Sequence, residues 1–163
     1  MAQITSEPRT KEWALAAWQR IQPGIDCVQT FGPDFNPEKP PGEWWCEVFS
    51  NSISVGMGWA RRFTPGCSIM NYGQAKFPES RGQTKNLGLD DVDLTTRRRK
   101  RLHSVADAIF ADYPQCRTII SIVYSTNTRV IEIMDAYNRT RLGIIPDGDR
   151  QLYLYLVKER ESR

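Results

Sequence analysis

Histidine is almost absent from this chain, with His103 the one imidazole among 163 residues. A Ser/His/Asp or Cys/His relay would have to run through it, and His103 follows Arg101 and Leu102 on what reads as a charged surface helix, away from any strand end where such relays are built. The four cysteines, Cys27, Cys46, Cys67 and Cys116, are widely spaced and form no CxxC pair. That spacing and the lone histidine exclude a structural zinc site, and no metal is expected. Two disulfides are arithmetically possible, but the opening segment has no apolar leader, so reduced, buried thiols and synthesis in the cytoplasm are the expectation. No apolar run approaches the roughly 18 residues that cross a bilayer, so no membrane association is expected. The excess of basic over acidic residues is also small, 22 against 19. A net charge of +3 does not by itself imply nucleic-acid binding. What is present is an average composition, 40% apolar, 25% charged and 10% aromatic, which suits a single globular domain over residues 1–163. At this length folding removes roughly 68–70% of the extended-state surface from water, so the core needs no covalent staple.

Apolar periodicity divides the chain. Residues Glu7 to Ile21 place Trp13, Ala17, Trp18 and Ile21 at helical spacing, with Thr10 or Ser6 available as caps, so the first element reads as an amphipathic helix. Residues 22–42 are rich in proline and glycine and read as a long loop, either a lid or contact surface or an ordered but idle loop. From Trp44 to Phe77 three strand-like runs follow with short turn-like separators, the signature of an antiparallel meander. Gly56 and Gly58 inside the second run point to a bulge or a close backbone approach. Residues 78–94 form a polar connection, and Thr95-Thr96 can cap a helix that runs to about Tyr113 and is stopped by Pro114. Its buried stripe is Leu102, Val105, Ala106, Ile109 and Phe110. Thr118 to Tyr124 is nearly all apolar, as in a central strand covered on both faces. Asn127 opens a further helix, Pro146-Asp147-Gly148-Asp149 is a turn, and Gln151 to Val157 alternates as a closing strand. Residues 158–163 read as a solvated, frayed tail.

This order, helix, meander, helix, strand, helix and one or two strands, resembles the GNAT superfamily of acyl-CoA N-acyltransferases. The resemblance is carried by the helix ending in Asp112-Tyr113-Pro114, the apolar strand 118–124, Asn127, and the aromatic strand Tyr153-Leu154-Tyr155-Leu156. It implies an α/β (α+β) fold with a mixed, mostly antiparallel sheet of about six strands flanked by about three helices. It also implies an acyl-CoA held in a gap between the third meander strand and the next one, with its pyrophosphate at a helix N-terminus. On that reading Arg81, Gly82, Thr96, Arg97 and Asn127 are the cofactor-binding positions for acetyl-CoA, with Tyr137 as acid and Glu79 among the carboxylates able to serve as base. The sequence departs from the family at two places. Only Gly82 stands in the expected phosphate turn, with Asp90, Asp91 and Asp93 just beyond it, and Met134 occupies the position where many members carry the acid tyrosine.

A degenerate form of the same fold occurs among internal and head-to-tail virion proteins of short-tailed phages. These are similar in their Lys/Arg-rich helix, Asn-led helix with an apolar residue in place of the tyrosine, and short aromatic closing strand. The resemblance implies a structural or assembly role in a virion, without catalysis or cofactor, with other virion proteins in a ring or multi-copy assembly as partners. An acyl-CoA-dependent N-acetyltransferase is the alternative. The run Arg97-Arg98-Arg99-Lys100-Arg101 sits at a helix start, where the macrodipole opposes each cation by roughly 0.3–1 kcal/mol. Either the acidic run before it folds back as solvated pairs, or a phosphate ligand, an acidic subunit face or packaged nucleic acid compensates. Trp44 and Trp45 put one ring on each face of a strand, so either both pack in the core or one is exposed at an interface, and with residues 97–101 they are the candidate partner-contact positions.

Overall fold

The computed structural model describes residues 4–25, 27, 31, 35–81, 104–136 and 140–161. The chain does not open with the helix. Ile4–Arg9 forms an edge strand, β1, paired antiparallel with β2 (Trp44–Ser50) from Ile4↔Ser50 to Arg9↔Trp45. The segment is short and polar and contains Pro8, so its own pattern is weak, and the ladder with β2 supplies its strand state. The helix α1 (Lys11–Ile21) begins where Thr10 caps it, the threonine side chain accepting from the Trp13 N–H at 3.2 Å.

The meander forms as expected. β2, β3 (Ile53–Arg62) and β4 (Ile69–Lys76) pair antiparallel in sequence. The irregularity expected at the glycines of β3 is present. The β2–β3 register slips between Val48 and Phe49, opposite Gly56 and Ser54. A Cβ at Gly58 would lie 2.8 Å from both the Cys46 Sγ and a Val105 methyl. After a single helical turn, α2 (Pro78–Arg81), comes helix α3, described over residues 104–112, then β5 (Thr118–Tyr124), α4 (Thr128–Ala136), β6 (Arg141–Asp147) and β7 (Arg150–Glu159). Among the described residues the sheet has seven strands in the order β1-β2-β3-β4-β5-β7-β6, with β4 and β5 a parallel pair.

Three apolar clusters fix the layers. Under one face α3 packs Val105, Ala106, Ile109 and Phe110 against Trp44, Cys46, Ala60, Met70 and Ile119. On the same face, four residues along β5, Val123 meets Met134 of α4 together with Tyr155. On the opposite face α1 packs Ala14, Ala17, Trp18 and Ile21 against Met57, Phe77 and the half-buried Trp45 and Trp59. The tail is ordered further than expected. Lys158 pairs with Asp107 at 2.5 Å, and Arg160 donates to the carbonyls of Phe110, Tyr113 and Cys116, closing the end of α3.

Candidate functional site

The feature that sets this sheet apart from a continuous ladder lies between β4 and β5. Their parallel pairing covers Ile69↔Thr118, Met70↔Ile119 and Asn71↔Ile120 and goes no further, although β4 runs on to Lys76 and β5 to Tyr124. Each strand stays paired on its other side, β4 with β3 as far as Lys76 and β5 with β7 as far as Tyr124. Two rows of main-chain groups therefore face one another across a widening gap. Asn71 marks the parting point, its Oδ1 accepting from the Ile122 N–H at 3.2 Å in place of a ladder bond.

The two helical starts that follow these strands stand at the parted end. Asn127 turns directly off β5, its N–H donating to the Tyr124 carbonyl at 2.9 Å, while its own carbonyl accepts from Ile131 at 3.2 Å. It is thus the residue from which α4 begins, as its helix-opening position in the sequence implied. At the end of β4, Phe77 is tied back to β3 by its N–H on the Val55 carbonyl, and Ser80 is buried in the α2 turn. Glu79 is exposed and paired with Arg20 of α1, whose guanidinium stacks 4.1 Å from the Phe77 ring centroid. Arg81 closes the α2 turn; Gly82, Thr96, Arg97, Arg98, Arg99, Lys100, Arg101 and Tyr137 lie outside the described residues.

The titratable residues on the parted stretches of the two strands are Tyr72, Lys76 and Tyr124. β4 reads IMNYGQAK and β5 reads TIISIVY, with no carboxylate or imidazole in either. Met134 is only 4% exposed and fills core between Val123 and Tyr155. The Tyr155 hydroxyl lies 3.1 Å from the Arg141 guanidinium and 3.3 Å from the Asp135 carboxylate. Burial pushes its phenol up, while the hydrogen bond from Arg141 pulls the other way. Among the described residues no group of three His, Cys, Asp or Glu side chains is placed to hold a metal ion.

The tryptophans take opposite faces of β2, as the strand period requires. Trp44 is buried beside α3, its Nε1 donating to Asp112 at 2.7 Å. Trp45 is half-buried against the α1 cluster and donates to the Pro41 carbonyl at 2.7 Å, so the proline-rich loop is anchored there. Reading the sequence alone missed Asn71. Its signal was a lone amide in an otherwise apolar start to β4, which acquires meaning only when Ile122 is opposite it.

No protein-family model matches the chain, and no curated protein matches it in sequence. In three dimensions the likeness is clear. An acetyltransferase of the GNAT family from Bacillus anthracis superposes with a TM-score of 0.60 at 15% identity, covering 96% of this chain and 95% of that one. The aminoglycoside acetyltransferase AAC(6')-Ib in complex with coenzyme A gives 0.62 at 13% identity over 97% and 95%. A spermidine N-acetyltransferase from Vibrio cholerae gives 0.60 at 11% identity over 94% and 92%. The fold is that of the GNAT acetyltransferases, with a seven-stranded mixed sheet.

Proposed function

We propose that the chain binds an acyl-CoA thioester in the gap between β4 and β5 and presents it to an amine, as an N-acyltransferase. The observation that carries this reading is the parting of the two parallel strands beyond Asn71 and Ile120. The main-chain edges of β4 and β5 that part beyond this point suit the amides of a pantetheine arm, which can accept and donate as a third strand would. When bound, the cofactor would supply the activated acyl group. The chain's own contribution is then position. Bringing amine and thioester together supplies much of the acceleration without a dedicated base. Glu79 and Tyr137 are the proton-handling residues of this reading, and Arg81, Gly82, Thr96, Arg97 and Asn127 its cofactor contacts. Calorimetric titration with acetyl-CoA is expected to give saturable binding at about micromolar affinity, weakened at least about tenfold in Arg81→Glu. Absence of saturation up to about millimolar ligand would overturn it.

A second reading is favoured by the burial of Met134 and the lack of a carboxylate or imidazole along β4 and β5. In it the frame is retained without catalysis, as an assembly component of a tailed-phage particle in contact with other virion proteins. Mass spectrometry of purified particles would then find the chain at fixed stoichiometry, and acetyl-CoA would give neither binding nor transfer to amines.

A further inference from the structure

The joined end of β4 and β5, opposite the gap, holds a second feature. The Ser68 carbonyl accepts from the N–H groups of both Arg117, at 2.8 Å, and Thr118, at 3.2 Å, just before the Ile69↔Thr118 pair. Cys67 and Cys116 each stand one residue before these contacts, so the chain brings two thiols to the same end of the same strand pair. Both reach the core cluster beneath α3, Cys116 fully buried within it and Cys67 half-buried at its margin. Burial raises the Cys116 thiol, and a thiolate at Cys67 would raise it further. Cys67 is held at φ 61°, an unusual backbone state for a non-glycine residue. Of the other two thiols, Cys27 lies in the α1 cluster, and Cys46, in the same cluster as Cys116, lies against Gly58 and Val105 near the described start of α3.

We propose that Cys67 and Cys116 form a redox-active dithiol, oxidised to a disulfide across the joined end of β4 and β5 by exchange with a low-molecular-weight disulfide of the glutathione type. Cys67, the more exposed sulfur, attacks one sulfur of the oxidant as its thiolate. That step forms a mixed disulfide and releases one glutathione thiolate, which takes up a proton. Cys116 then loses its proton and displaces the second glutathione, closing the Cys67–Cys116 bond. Two protein S–H bonds are lost and two glutathione thiols appear, so the protein is oxidised by two electrons and the glutathione reduced by two. The bond would close a loop of about 50 residues containing α3 and fix the base from which the two strands diverge.

Incubating the folded full-length chain with oxidised glutathione and mapping it by intact-mass and peptide mass spectrometry tests this. The expected product is lighter by about 2 Da and yields a Cys67–Cys116 linked peptide, with a thermal midpoint raised by about several degrees. Cys27→Ser and Cys46→Ser should still form the link. Cys67→Ser, at the more exposed position, should abolish it while circular dichroism shows the fold intact, which keeps the test valid if Cys116→Ser fails to fold. A persistent glutathione adduct on Cys67 without a link, a link using Cys27 or Cys46, no oxidation at all, or a link formed only in denaturant would each overturn the proposal.

Discussion

Gly73 faces the α1 side of β4, where a Cβ would lie 2.5 Å from the Trp59 indole. That ring cannot easily give way, because it packs against Phe31 at 5.9 Å and Trp18 at 6.4 Å between centroids. Gly73→Ala is therefore expected to cost about 1–3 kcal/mol through overpacking and to change the near-ultraviolet circular dichroism of the cluster. Urea unfolding against the parent measures the cost, and an unchanged midpoint would show that the indole shifts freely. The tryptophan at Trp18 is a further constraint at this scale. It is 2% exposed, and its Nε1 has no hydrogen-bond partner among the described residues.

Elements in this protein are stopped and started by identifiable side chains. Thr10 starts α1, and its capping role was readable from its place before an apolar-periodic run. The end of α3 depends on a residue far away in sequence. Arg160 donates to three carbonyls at 2.8 to 3.0 Å and lies over the Phe110 ring at 4.7 Å. Arg160→Ala is expected to lower stability by about 1–3 kcal/mol, and Arg160→Lys should restore only part of it, since an ammonium cannot reproduce the planar fork. Chemical denaturation of both variants checks this; full rescue by lysine would reduce the role of Arg160 to its charge.

For the whole molecule, buried neutral acids set the response to alkaline pH. Burial pushes the Cys46 thiol from 9.0 up to about 12 and also raises Cys116, Tyr113 and Tyr155. In the unfolded chain these groups lose their protons first. Above the ordinary thiol value the unfolded state binds fewer protons than the folded one, and stability falls as pH rises. The contribution of Cys46 is thus present in full below about pH 9 and declines toward the folded value, by up to about 1.4 kcal/mol per pH unit. Thermal melts at about pH 8 and about pH 10.5 should show a lowered midpoint, with a shallower decline in Cys46→Ala. Equal slopes in the two proteins would assign the decline to other groups.

The sequence by itself determined the elements whose faces bury apolar side chains at a fixed period. The stripe Val105, Ala106, Ile109 and Phe110, the apolar run of β5 and the three-stranded meander are all of this kind, because burial by period is a local property. The seven-stranded count was not local. Ile4–Arg9 is a strand only because β2 offers it an edge, and the order of Lys158 to Arg160 follows from β5 and α3 lying beside them. The candidate site was least legible of all. Asn71 and Ile122 are 51 residues apart, and the gap beyond them exists because two parallel strands pair for three residues and then diverge. A gap is made of missing ladder bonds, and residue types along one strand do not encode which neighbour it leaves; only the packing of both strands against their outer partners decides that.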